Sequence, residues 1–469
     1  MKLTVFLTLL GRFASTIAHE TLLGRHDIKT IFTGAHWSIN TTVSFPGSDS
    51  FTNATVRWST FHQPTYAVAV SPATEADVIQ AVKLATSNGI PFLATGGRHG
   101  YTTTLGALNN GLAIDLGQFD TIRVDQHRGT LTIGGAVTLK IGTCSCPGMV
   151  GVSLGPGLGP WGGVHGLVID ALLSLHVVTA NGTLIEVSKS SNPDLFWAFR
   201  GAGANFGIVL SATYQLQKQV NNGQVFVLES IIPNKLNHSY FDILEQYDGG
   251  KLPKELAIFT FIAFNSTTEA VQLRSIWTYF GPETEARNAM KSIYDLNPTI
   301  TSEVTYGWNK VIQSVSGGSD YYQCQRGSVQ DIYTINARNL STSTYKDSFE
   351  RLSNFYEETP AGRECLLQMS MYPNQAALAV PDDETAYPWR DTIAILDLLF
   401  TWKDDTSNTE QAVETLAKDL RRDLAATSGY PELAVYINSA HGDETLESRY
   451  GARDYSWRHA EKWERATRM

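Results

Sequence analysis

The chain has 469 residues, 42% of them hydrophobic, and a formal net charge of −10. That length exceeds one small core, so two domains or one large domain with an insert is expected. The acidic balance offers no basic face to a nucleic-acid partner, and four cysteines are too few for a disulfide scaffold.

At the start, Lys2 precedes an apolar run over 3–10, and Thr16-Ile17-Ala18 gives a cleavage point. This pattern predicts a signal peptide over 1–18, too short to cross a bilayer. Glycosylation sequons follow at Asn40, Asn53, Asn181, Asn237, Asn265 and Asn339, and with the leader they predict a secreted glycoprotein. No later segment is long and apolar enough for a transmembrane helix.

Residues 66–97 read as strand, helix, strand. Thr74 can cap the helix with Asp77 three residues on, Val78, Val82 and Ala85 share one face, and Gly89 ends it. The second strand runs into GGRHG, where Gly96, Gly97 and Gly100 bracket Arg98 and His99. A glycine turn at a strand end lets backbone amides approach an anion. The spacing is neither Walker A nor G-x-G-x-x-G, so by itself it describes an anion cradle with a nucleophile in it, or a surface-loop histidine.

Several short strand-like runs come next, then a glycine-rich stretch over 142–167 in which Cys144 and Cys146 stand one residue apart. Cys-x-Cys is half a metal site, but no second Cys/His cluster completes it, and no metal is predicted. Cys324 and Cys365 could pair, which the sequence leaves undecided. LHVVTANGTLIEV reads as a hairpin about Asn181-Gly182. Asn192 and Pro193 are placed to start a short helix, followed by a glycine turn and a strand. Beyond residue 216, alternating segments such as VFVLESIIP and LAIFTFIAF predict an antiparallel sheet with helices on one face. A helix over 409–427, striped by Val413, Leu416, Leu420 and Leu424, leads to a last predicted strand, ELAVYINSAHGD.

Taken in order, P-x-x-x-x-D-V from Pro72 to Val78, GGRHG, GTC with its glycine run, and NPDLFWAFRGAGANFGIV resemble the berberine bridge enzyme-like flavoproteins. These carry the FAD-binding domain of the vanillyl-alcohol oxidase superfamily. The match extends over residues 60–215 and continues at YIN near the C-terminus. It is strongest to fungal secreted FAD-linked oxidoreductases of secondary metabolism.

The resemblance implies an α+β fold. A two-part FAD-binding domain (19–215, with 411–469 returning to it) would hold an inserted substrate domain (216–410) of antiparallel sheet covered by helices. His99 would bond covalently to the 8α-methyl of FAD, and Cys144, in bicovalent relatives, to C6 of the ring. The turn with Gly96, Gly97 and Gly100 would hold the pyrophosphate, with Arg98 adding positive charge. Gly148 lies in the same glycine run, and Gly207, Ile208 and Val209 would line the adenine side. Tyr436 is the implied catalytic residue, and Asn438 a flavin contact. The implied reaction takes a hydride from a small organic substrate and returns the electrons to dioxygen. The sequence also admits a redox-neutral isomerase or cyclase, a carbohydrate oxidase, and an inactive flavin-binding remnant.

Three departures stand out. Ser439 replaces the second tyrosine of Tyr-x-Asn-Tyr. Pro147 stands where relatives often have valine or leucine beside the oxygen approach, leaving oxidase or dehydrogenase open. The chain ends in RHAEKWERATRM rather than the usual Asn-containing tail, which reads as a truncated C-terminal segment.

Overall fold

A computed structural model of the chain describes residues 27–138, 144–317, 320–402 and 407–451. The predicted signal peptide and the final RHAEKWERATRM lie outside these residues. Three sheets organise the fold.

The first contains β1 (Thr42–Ser44), β2 (Tyr66–Ser71), β3 (Phe92–Thr95) and β4 (Gly111–Asp115), in the order β1-β2-β4-β3. β4 runs parallel to both β2 and β3, so the predicted strand–helix–strand unit is present but its strands are separated by a later one. Its helix, Glu75–Ser87, starts in a complete capping box: Thr74 Oγ1 accepts from Asp77 N, and the Asp77 side chain accepts from Thr74 N. Buried Asp77 also accepts from Ser38 N and Thr41 Oγ1. Burial opposes its charge, but these bonds prevail and hold its carboxyl down at about 2. The apolar face, Val78, Ala81, Val82 and Ala85, packs on Val68, Val70, Leu112 and Ile114.

The second sheet is antiparallel: β5 (Ile122–Asp125), β6 (Thr130–Gly134), β7 (Leu172–Val178), β8 (Leu184–Ser188) and β9 (Ile208–Gln215), ordered β5-β6-β9-β7-β8. The β7–β8 hairpin turns through Gly182 at φ 73°. β9 is a shared wall, because successive side chains of a strand point to opposite faces. Ile208 and Leu210 enter the core of the first sheet and Val209 that of the second; a register shift against β7 at Leu210 then turns Ala212 and Tyr214 into the second core as well. One expectation fails locally. Asn192 precedes the helix Pro193–Ala202 but does not cap it with its side chain; at φ 53° its amide donates to Glu186 O instead.

The third sheet has seven antiparallel strands: β10 (Gln224–Ile232), β11 (Leu256–Asn265), β12 (Ala270–Tyr279), β13 (Thr299–Gly307), β14 (Asp331–Ala337), β15 (Leu366–Met371) and β16 (Ala394–Phe400). Their order is β13-β10-β12-β11-β15-β16-β14. On one face Phe226, Leu228, Leu256 and Ile258 pack with residues of the helices Asn237–Glu245, Thr342–Glu358 and Ser407–Ala426. On the other, Val225, Val227, Ala257 and Phe259 meet Leu158 and Trp161 from the first half of the chain and Tyr436 from the end.

One further expectation is corrected, and one open question is decided. ELAVYINSAHGD forms no strand: it makes single backbone bonds, such as Asn336 N to Ala434 O, and tightens into a 3₁₀ turn at Ile437–Ser439. The disulfide joins Cys146 to Cys324, whereas Cys365 is a free thiol buried in the third sheet's core. Among the described residues, no helix is long and apolar enough to cross a membrane.

Thr74→Ala is expected to lower stability by about 1 kcal/mol, and Asp77→Ala by about 2–3 kcal/mol because several bonds to one carboxylate are lost together. Chemical denaturation of each variant checks the ranking.

Candidate functional site

The loop after β3 is shaped by close backbone contacts. A Cβ on Gly96 would lie 2.5 Å from Gly135 O, and one on Gly97 would lie 2.6 Å from Gly148 N. Both positions therefore require glycine, and the two glycine-rich stretches press together there. Arg98 adopts φ 57°, and its guanidinium pairs with Asp115 at the end of β4 at 2.5 Å. Its charge is thus partnered within the protein. Trp58 N donates to Arg98 O, and Arg57 donates to Gly100 O at 2.6 Å.

These bonds fix His99. Its ring stacks on Trp58, centroids 4.3 Å apart, and Nε2 is buried without a hydrogen-bond partner. Burial, aided by Arg326 and Arg57, pushes its pKa down to about 4. At neutral pH it is an uncharged imidazole with a lone pair to offer.

The Cys144-Ser145-Cys146 turn comes to the same place. Asp320 accepts from Ser145 N at 2.8 Å and from Ser145 Oγ at 2.6 Å, and Cys146 is bonded to Cys324. Cys144 keeps a free thiol, pushed up to about 11 chiefly by burial. One ring nitrogen of His99 and the sulfurs of Cys144 and Cys146 all lie within 4.8 Å of one another. With Cys146 in a disulfide, that grouping has too few ligands for a closed metal site. Gly148 precedes the helix Met149–Leu154 and bridges to Thr138.

The remaining predicted residues divide. Gly207 lies just before β9 at φ 151°, and a Cβ added there would lie 2.6 Å from Val177 Cγ1. Ile208 and Val209 place their side chains in cores, so their backbone is what could meet a cofactor. Asn438 Nδ2 donates to Val152 O at 2.8 Å and to Tyr436 Oη at 2.9 Å, which makes it the holder of Tyr436. Burial pushes the Tyr436 phenol up to about 12. Ser439, in place of the usual tyrosine, acts to lower the pKa of Tyr101, two residues after His99, against the burial that raises it.

Asp397 was missed from the sequence. It sits on β16 opposite Gln368 and Thr334, its Oδ1 is buried without a partner, and burial pushes its carboxyl up to about 6. Its charge is felt by Tyr101, Tyr372 and Tyr436. The available signal was one carboxylate inside AILDLLF, since an unpaired acid in an apolar strand is a functional candidate. Beside it opens a cavity lined by Trp161, Phe259, Phe261, Phe280, Trp308 and Gln368 among others.

The profile of the FAD binding domain matches residues 66–141. The FAD-linked oxidoreductase srdI of Neurospora crassa is 41% identical over 443 residues, covering 91% of this chain and 87% of the relative. The chain belongs to the FAD-linked oxidoreductases. Two solved structures share the fold. Glucooligosaccharide oxidase from Acremonium strictum, which carries a 6-S-cysteinyl, 8α-N1-histidyl FAD, matches with a TM-score of 0.80 over 94% of this chain and 95% of that one, at 20% identity. A berberine bridge enzyme-like protein of Physcomitrella patens matches with a TM-score of 0.77 over 90% and 93%, also at 20% identity. At such identity the likeness shows the α+β fold. FAD is the cofactor of this oxidoreductase, and the site fits it: a buried, unpartnered imidazole nitrogen stands beside a free thiol on a glycine-lined floor.

The oxidoreductase also has a charged clasp beside this floor. His441 lies 3.1 Å from Asp331 and 3.2 Å from Asp443, stacked on Tyr333, while its carbonyl accepts from Thr103 N at 2.7 Å and Oγ1 at 2.9 Å. Burial would lower its pKa, but Asp331 and Asp443 outweigh burial and raise it from 6.5 to about 9. A raised folded-state pKa stabilises fully below 6.5 and is lost as pH passes 9. The expected contribution is about 3 kcal/mol. Thermal melts from pH 6 to 10 should show a decline that His441→Gln flattens.

Proposed function

We propose that this oxidoreductase oxidises a small organic molecule, a secondary-metabolite intermediate, on a flavin bonded through His99 and Cys144, with dioxygen leaving as hydrogen peroxide. The observation that carries the reading is the meeting of a neutral His99 nitrogen and the free Cys144 thiol within 4.8 Å. FAD, when bound, supplies the hydride acceptor and passes the electrons on to dioxygen.

The protein's own residues supply orientation and proton transfer. Gly96 and Gly97 let the His99 loop close on the backbone of Gly135 and Gly148, which shapes the floor on which the cofactor would lie. Tyr436, raised to about 12, keeps its proton at neutral pH and so orients a substrate hydroxyl by hydrogen bonding. Asp397, raised to about 6, is ionised above that pH and accepts the proton, directly or through Tyr436. The aromatic cavity lining excludes water and favours a largely apolar substrate over an oligosaccharide. The same Asp397–Tyr436 pair would also serve a redox-neutral isomerisation or cyclisation; flavin bleaching by substrate under argon separates the two.

Secretion is part of the same reading. Asn40, Asn53, Asn181 and Asn339 are exposed, and Asn237 and Asn265 are half-buried at the surface, which supports use of these sequons behind a leader over 1–18.

Acid precipitation should leave yellow flavin in the protein pellet, and His99→Ala should shift it to the supernatant or leave it held through Cys144 alone; a colourless wild-type pellet would sink the covalent reading. Turnover of an aromatic or apolar alcohol, read as peroxide, should rise with pH through about 6 as Asp397 ionises. Asp397→Asn should remove that limb and lower kcat by about 10²–10⁴-fold.

A further inference from the structure

We propose that the Cys146–Cys324 disulfide determines which cysteine of the Cys-x-Cys turn bonds the flavin, by withdrawing Cys146 and presenting Cys144 alone. The inference rests on the covalent-flavin reading above and concerns the selectivity of that attachment.

Distance does not discriminate between the two thiols. Both Sγ atoms lie within 4.8 Å of the same His99 nitrogen and 3.0 Å from each other. Both sulfurs are thus near an acceptor bonded to His99. What separates them is chemical. Cys146 is bonded across 178 residues to Cys324, and Cys144 is free. A sulfur in a disulfide has no thiolate to offer as nucleophile.

The crosslink is also placed to stay where it is. Cys324 closes the short helix Asp320–Gln323, and its backbone N–H bonds back to Asp320 O. The Asp320 carboxylate in turn accepts from the backbone and hydroxyl of Ser145, between the two cysteines. The turn is therefore tied to this helix at two points. The fourth cysteine cannot interfere: Cys365 is fully buried in the third sheet's core and donates to Thr401 O.

The attachment balances without further components. The Cys144 S–H and one ring C–H are replaced by an S–C bond, and the two hydrogens leave to dioxygen as hydrogen peroxide. The disulfide is neither oxidised nor reduced, so it acts as a blocking group and Cys324 as a specificity-determining residue that does not touch the flavin.

The test is a peptide map of the full-length flavoprotein under non-reducing conditions. Wild type should give one cysteinyl-flavin species, on Cys144, and an intact Cys146–Cys324 crosslink. Cys324→Ser frees Cys146 and should give two species, with flavin on Cys144 or on Cys146. Cys146→Ser/Cys324→Ser also lacks the crosslink, but should return to the single Cys144 species. Flavin on Cys144 alone in Cys324→Ser overturns the proposal while leaving the covalent reading intact. Acid-releasable flavin in wild type overturns both. A readout that needs neither variant to fold is alkylation of unfolded wild type without reductant: Cys365 should be labelled and Cys146 should not, and labelling of Cys146 overturns the proposal directly.

Discussion

The site depends on a backbone-to-backbone contact that only glycine permits. At Gly97 an added Cβ would stand 2.6 Å from Gly148 N, and at Gly96 it would stand 2.5 Å from Gly135 O. Real Cβ atoms do not approach backbone that closely, so any side chain there would push the two loops apart. Because they touch, the strand end carrying His99 and the turn carrying Cys144 share one small volume. The Arg98–Asp115 pair, the Trp58 stack and the Asp320 bonds to Ser145 then hold each partner still.

Charge is arranged around that contact so that the reactive groups stay neutral. Arg98 is paired, His99 is pushed toward its uncharged form, and the Cys144 thiol and Tyr436 phenol are held protonated by burial. Asp397 is the exception, poised close to its ionisation near neutral pH. Of the groups named here it alone changes charge state near neutral pH.

Legibility from sequence followed the range of the interactions. The capping box of Glu75–Ser87, the β7–β8 hairpin and the glycine turn at His99 are local, and their residues announce them. The seven-stranded sheet was visible as alternation, though its strand order was not, since pairing such as β11 with β15 joins segments about a hundred residues apart. The Cys146–Cys324 bond and the influence of the Asp397 charge on Tyr436 are products of tertiary packing, and no spacing encodes them. Two errors had a common origin. ELAVYINSAHGD has strand-like residues and Asn192-Pro193 has cap-like ones, but neighbouring segments took those backbone and side-chain bonds first.

The clasp at His441 bears on the order in which the molecule is completed. The loop just past His99 donates three bonds to the carbonyl of His441, from Thr103 N, Thr103 Oγ1 and Thr102 Oγ1. Donors and acceptor are 338–339 residues apart, so the acceptor is synthesised long after them. The histidine loop consequently has no finished partner while the rest is being synthesised. The loop takes its final shape only once the segment around His441 has folded against it.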